Sequence, residues 1–155
     1  MKFAALIGLA AAAKSDFPAF DSLHANCQLE IQFNSDCGTV YKVLENTATK
    51  GTDISGGLYQ LKEDGANDFF WVTRTTPVKH YVDDIIFEVK GAQNGGCTVS
   101  SRSRSQTLSY YDYNTNYCNM YNVVRMSGLG FSSLTDSNCK WNLTPDNRDE
   151  VCNKY

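Results

Sequence analysis

Two runs of alternating residues on either side of a glycine-rich break constrain this chain more than any other feature. Tyr81-Val82-Asp83-Asp84-Ile85-Ile86-Phe87-Glu88-Val89 and Cys97 to Gln106 flank the segment Lys90-Gly91-Ala92-Gln93-Asn94-Gly95-Gly96. Alternation sustained over such lengths describes strands with one face in a core. The glycines permit a tight reversal between them, so the pattern predicts a hairpin. With Val89 set opposite Cys97, Phe87 faces Val99, Ile85 faces Ser101 and Asp83 faces Ser103, while Asp84 falls opposite Arg102 on the other face. One face is then apolar and the other carries a charged seam.

The flanking sequence supplies helices and a second strand pair. Val40, Val43, Leu44 and Thr47 recur at helical spacing within residues 39–50, with Ser35, Asp36 or Thr39 as N-cap and Gly51 as the stop. Residues 58–61 and 69–74 are β-like and separated by a polar turn, and Pro77 ends regular pairing before the next strand. Asn114 or Thr115 can cap a second helix reaching about Met126, with Tyr117, Met120, Tyr121 and Val124 facing inward and Gly128 as terminator. Residues 131–155 are expected to be irregular, tied down by Trp141 and two cysteines. The predicted fold class is α+β, a small antiparallel sheet packed against about two helices and stabilised by disulfides.

At 155 residues the chain has the length of one domain with a substantial core. Residues 1–13 have one positive charge, a short apolar run and small residues, the pattern of a signal peptide, and are too short to span a bilayer. Residues 14–26 follow as an extended leader, and residues 27–155 form the domain. Export predicts a secreted or extracellular protein, with a plastid or vacuolar lumen as the alternative destination. Cys27, Cys37, Cys97, Cys118, Cys139 and Cys152 then read as three disulfides. Many connectivities are open; the shortest loops would pair Cys27 with Cys37, Cys97 with Cys118, and Cys139 with Cys152. No C-x-x-C pair supplies close ligands for zinc, so no metal is expected. A net charge of −3 with mixed signs argues against nucleic acid and membrane-surface partners, and no integral membrane association is expected.

Asp84, Arg102, Arg104, Asp112 and Asn116 are the candidate ligand-binding residues. Guanidinium groups with nearby serine hydroxyls suit carboxylate, phosphate or sulfated-sugar oxygens. The structural alternative makes Asp84 and Arg102 a cross-strand ion pair and Asp112 a helix-starting group. No catalytic residue stands out: His24 and His80 lie in no motif that positions a nucleophile, base or metal, and adjacent strand residues such as Asp83 and Asp84 point to opposite faces. Tyr110, Tyr111, Tyr113, Tyr117 and Tyr121, with Phe69, Phe70 and Trp71, are either core, the wall of an apolar cavity, or a platform for sugar stacking. Asn142-Leu143-Thr144 is a glycosylation acceptor followed by a disfavouring Pro145.

Asp83-Asp84-Ile85-Ile86-Phe87, Arg102-Ser103-Arg104-Ser105-Gln106 and Tyr110-Tyr111-Asp112 with Asn116 together resemble the core signature of domain-of-unknown-function family 1499, over about residues 81–125. The chain differs from that pattern at Gln106, where arginine is usual, at Ser109, where glycine is usual, and at Cys118-Asn119, where basic residues are common. The resemblance implies an α+β fold and no established catalytic activity. The expected function is a noncatalytic binding or assembly module for an extracellular glycan, a small anion or a protein partner, with no cofactor. A lipid or pigment carrier and a hydrolase are the alternatives.

Overall fold

The computed structural model describes residues 13–93 and 95–155; the predicted signal segment otherwise lies outside the described residues. The fold is α+β: one six-stranded antiparallel sheet with two long helices and one short helix on a single face. The strands are β1 (Asn26–Phe33), β2 (Leu58–Asp64), β3 (Phe69–Thr75), β4 (Val82–Gly91), β5 (Cys97–Ser105) and β6 (Phe131–Ser137). The helices are α1 (Cys37–Thr49), α2 (Thr115–Met126) and α3 (Arg148–Cys152). Across the sheet the order is β2-β3-β4-β5-β1-β6.

Local chemistry sets the helix boundaries. Asp36 caps α1 by accepting a hydrogen bond from the Thr39 amide at 3.0 Å. Val40, Tyr41, Leu44 and Ala48 form its buried stripe, and the chain leaves through Gly51 at φ 112°. On α2 every residue from Asn116 to Val124 is buried, because α1, α3 and the sheet enclose it. Gly128, at φ 70°, follows it as the sequence predicts.

Between helices and sheet lies a core of Leu29, Ile31, Val40, Leu44, Phe70, Val72, Ile85, Phe87, Val99, Tyr117 and Met120. Phe70 and Phe87 stack inside it with ring centroids 4.7 Å apart. A smaller cluster occupies the outer face, where residues 13–24 cross the sheet and set Phe17 against Trp71 and Ile86. No helix among the described residues is long and apolar enough to cross a membrane.

The central hairpin forms with its faces as expected but with different partners. Val89 pairs with Val99, Phe87 with Ser101, Ile85 with Ser103, Asp83 with Ser105 and Asp84 with Arg104. The strand β4 runs on to Gly91, which pairs with Cys97, and the reversal closes later with the Ala92 amide donating to the Gly96 carbonyl at 3.0 Å. This displaces the register by two residues, and a two-residue slip keeps every side chain on its face. Arg102 therefore meets Glu88, not Asp84, with Nη2 donating to Oε1 at 2.8 Å.

Residues 26–33, for which no strand was predicted, form β1 inside the sheet. Two further expectations are corrected. The segment 131–155, expected to be irregular, contains the edge strand β6 and the helix α3. The disulfides are Cys27–Cys139, Cys37–Cys97 and Cys118–Cys152, not the nearest neighbours in sequence. Sheet order explains the first, since β1 lies between β5 and β6 and brings Cys27 beside the chain that leaves β6, while Cys118–Cys152 follows from the packing of α3 on α2.

Candidate functional site

The five candidate residues divide between the two faces of the sheet. Asp84, Arg102 and Arg104 project from the outer face, and each is already paired. Asp84 accepts from Trp71 Nε1 at 2.8 Å, from Gln106 Nε2 at 3.0 Å and from Lys62 Nζ at 3.2 Å. Arg102 adds a stack on Phe17, 4.9 Å from the ring centroid, to its bond with Glu88. Arg104 donates to Asp21 Oδ2 at 2.7 Å and lies 2.8 Å from His24 Nδ1. Arg104, with His24 beside it, holds the Asp21 carboxyl below its ordinary range.

Asp112 and Asn116 lie on the helix side, in a polar layer buried between α2 and the sheet. Its framework is a row of asparagines, Asn116, Asn119 and Asn122, spaced three apart so that one helical face carries all three amides. The bonding is continuous. Asn116 Nδ2 donates to Asp112 Oδ1 at 2.8 Å, and Asn116 Oδ1 accepts from Ser103 Oγ at 2.7 Å. Asn119 Nδ2 donates to Ser103 Oγ at 3.1 Å and to Asp83 Oδ2 at 2.8 Å. Asn119 Oδ1 accepts from Arg74 Nη1 at 3.1 Å, and Arg74 Nε donates to Asp53 Oδ2 at 2.7 Å. An amide–hydroxyl–amide chain therefore joins Asp112 to Asp83 and runs on to the ion pair of Arg74 and Asp53.

Arg74 is fully buried, and the loop before β2 closes over it. Ser55 Oγ accepts from Nη2 at 2.7 Å, while Asp53 Oδ1 accepts from the Ser55 and Gly57 amides at 3.0 and 2.8 Å. A Cβ on Gly57 would sit 2.2 Å from the guanidinium, so only glycine permits this approach. Burial acts to raise the Asp53 pKa, but Arg74, Ser55 and the Gly57 amide outweigh it and hold the carboxyl below its ordinary value.

The other two carboxyls behave oppositely. Burial raises Asp83, against the donors Asn119 and Ser105. Burial also pushes Asp112 up to about 6, against its two bonds from Asn116 and with the neighbouring Asp83 charge adding to the rise. Among the described residues neither Asp83 nor Asp112 makes an ion pair.

Asp83, Asp112 and Ser105 line one cleft of about 380 Å³ at the α2 end of the sheet. Tyr81, Tyr110, Tyr111 and Tyr113 form its rim and are exposed by 54, 67, 64 and 60%. The aromatic segment thus separates by role: Tyr117, Tyr121, Phe69, Phe70 and Trp71 are buried, and Tyr110, Tyr111 and Tyr113 face solvent. Three residues around this cleft have left-handed backbone: Tyr113 at φ 46°, Asn114 at φ 69° and His80, next to Tyr81, at φ 54°. Such conformations carry about 1–3 kcal/mol of strain each and cluster at ligand clamps.

Asp83, Arg74 and Asp53 were not among the candidates. The signal for them was the i, i+3, i+6 asparagine row, which has no place on an apolar helix face unless polar groups await it. Asn142 is exposed, in the segment between β6 and α3. Among the described residues no group of three or more His, Cys, Asp or Glu side chains is placed to hold a metal. No protein-family model matches the chain, and no curated protein matches it.

Proposed function

We propose that this chain is an exported, noncatalytic binding module that holds a small polar ligand in the tyrosine-rimmed cleft. The observation that carries this reading is the cleft itself, where four solvent-facing tyrosines surround two buried acids fixed by one hydrogen-bonded chain. Tyrosine offers a rigid apolar face with a polar tip, and a few convergent polar groups under such faces are the usual make-up of a ligand site. Three disulfides fit an oxidising, extracellular setting. Family 1499, which the chain resembles over about residues 81–125, contributes no activity to this choice.

An acidic floor disfavours an anionic ligand. An anion at Arg102 or Arg104 would have to displace Glu88 or Asp21, each bonded at under 3 Å. Carriage of a lipid or pigment is disfavoured by an interior already filled by Phe70, Phe87, Tyr117 and Met120.

The test is a nuclear magnetic resonance screen of the oxidised protein against neutral saccharides, amines and carboxylates. The expected result is saturable perturbation of residues 81–83 and 105–113 by at least one class, weakened in Tyr111→Ala. Perturbation confined to the outer face around Arg102 and Arg104, or none that saturates, would reject the reading. Turnover of a glycan or ester that disappears in Asp112→Asn would replace it with a hydrolytic one.

A further inference from the structure

Charge and burial in the cleft point to the class of ligand. Among the described residues the charged side chains of the polar layer are Asp53, Arg74, Asp83 and Asp112, three acids and one base. Asp53 takes the only guanidinium, leaving Asp83 and Asp112 with amide and hydroxyl donors alone. Both side-chain bonds that Asp112 accepts, from the Asn116 amide and Asn116 Nδ2, fall on Oδ1, and among the described residues Oδ2 receives none, although the residue is only 4% exposed. A buried carboxylate with an unused oxygen on a cleft wall is a site for a cation or a strong donor.

The rim narrows the choice. Tyr110 and Tyr111 meet edge to face with centroids 5.3 Å apart, and Tyr111 and Tyr113 are stacked at 6.0 Å. These rings form a continuous aromatic wall beside the acids. One of these rings already holds an ammonium on the side away from the cleft: Lys140 Nζ, which lines the neighbouring pocket, sits 3.9 Å from the Tyr110 ring centroid. Aromatic faces attract cations through the ring quadrupole, and alkylated ammonium ions gain most because their hydration is weak. A hydrated metal ion would use the acids and leave the tyrosines idle. A neutral sugar would use the tyrosines and leave the acids without a counter-charge.

We infer that the cleft binds a small alkylammonium ion, its nitrogen set against Asp112 and Asp83 and its methyl or methylene groups against Tyr81, Tyr110 and Tyr111. This rests on the binding-module reading and specifies its ligand. The bound cation supplies the positive charge that the two acids lack. The raised position of both acids agrees, since each is held in an environment with no cation in contact. Lys140, on the segment after β6, and Arg74, on β3, reach these acids only through longer-range attraction.

The experiment compares choline with its uncharged carbon isostere, dimethylbutanol, by calorimetric titration of the oxidised full chain at about pH 7.5, where Asp112, at about 6, is mostly ionised. Choline should saturate, and the isostere should bind at least about tenfold more weakly, as expected for a cation set on aromatic faces beside an acid. Asp112→Asn should weaken choline by a similar factor and leave the isostere unchanged. If that variant does not fold, Tyr111→Leu keeps the apolar contact but removes the ring, and should weaken choline by about fivefold. Equal binding of choline and isostere, or choline binding indifferent to both substitutions, overturns the inference. Saccharide binding at the cleft without choline binding also overturns it but leaves the binding-module reading intact. Absence of any saturating ligand overturns both.

Discussion

Arg74→Met should be among the most damaging single substitutions in this chain that leave the disulfides and apolar core untouched. Methionine fills much of the volume of the arginine stem, so the change isolates the charge. Asp53 then keeps its bonds from Ser55 and the Gly57 amide but loses its counter-ion inside a closed loop. Removing one partner of a buried pair costs about 3–5 kcal/mol. The Asn119 carbonyl also loses a donor, adding about 1 kcal/mol. Against a domain stability of about 5–15 kcal/mol this is a large fraction.

Urea unfolding of the oxidised protein reads the effect directly. With a slope of about 2 kcal/mol/M, the midpoint should fall by about 2 M at neutral pH. The pH dependence has a defined sign. Asp53 is held below its ordinary value, so the stability it contributes is present above the unfolded value of 3.8 and is lost as pH falls through the folded one. The deficit of Arg74→Met should therefore shrink on acidification. Arg74→Met/Asp53→Asn, which removes both charges, should recover part of the loss at neutral pH. A midpoint shift under about 0.5 M, or a double variant no better than the single one, would refute the idea that an uncompensated buried charge is responsible.

Phe87→Ala removes a fully buried ring stacked on Phe70 and should cost about 3–5 kcal/mol in the same assay; a loss below about 0.5 kcal/mol would contradict its core position. Peptide mapping without reduction should recover Cys27 linked to Cys139, Cys37 to Cys97 and Cys118 to Cys152, and recovery of Cys27 linked to Cys37 would contradict the sheet order. Asp112 is raised from 3.8 to about 6, so its folded form holds a proton that the unfolded form releases, and stability should fall as pH rises from about 4 to 6. At about 1.4 kcal/mol per pH unit the upper size is about 3 kcal/mol. Asp112→Asn should flatten that interval in pH-dependent thermal melts, and an unchanged slope would place the titration elsewhere.

The hairpin was legible because its information is a parity. Which face Ile85, Phe87 and Val99 occupy survives any even slip, whereas the partner of Asp84 depends on where the reversal closes, and seven residues with three glycines leave that open. The strand β1 carried the same signal in Cys27, Leu29, Ile31 and Phe33, all buried, but in a short run next to the chain's leader. The strand β6 carried almost none: Phe131 and Leu134 are half-buried and the rest is exposed, as suits an edge strand joined to β1 by the backbone ladder with few side-chain contacts, chiefly Phe131 on Phe33. The disulfides defeated loop-length reasoning because tertiary packing sets them: strand order for Cys27–Cys139, and helix placement for Cys37–Cys97 and Cys118–Cys152. For the site, Asp112 and Asn116 were named in the sequence together with Asp84, Arg102 and Arg104, and only the first two lie in the polar layer. Asp83, Arg74 and Asp53 come from three separate segments, and only tertiary packing brings them together.

The position of β1 dictates when this molecule can be completed during synthesis. Its two neighbours in the sheet, β5 and β6, are among the later strands to leave the ribosome, and Cys27 finds its partner only when Cys139 has emerged. Until β5 emerges both edges of β1 are unpaired, and until β6 follows one edge stays open, with Cys27 and Cys37 close together in sequence and open to oxidation in the wrong combination. Non-local pairing of this kind is slow. A cell extract without a disulfide isomerase should therefore yield mostly scrambled material.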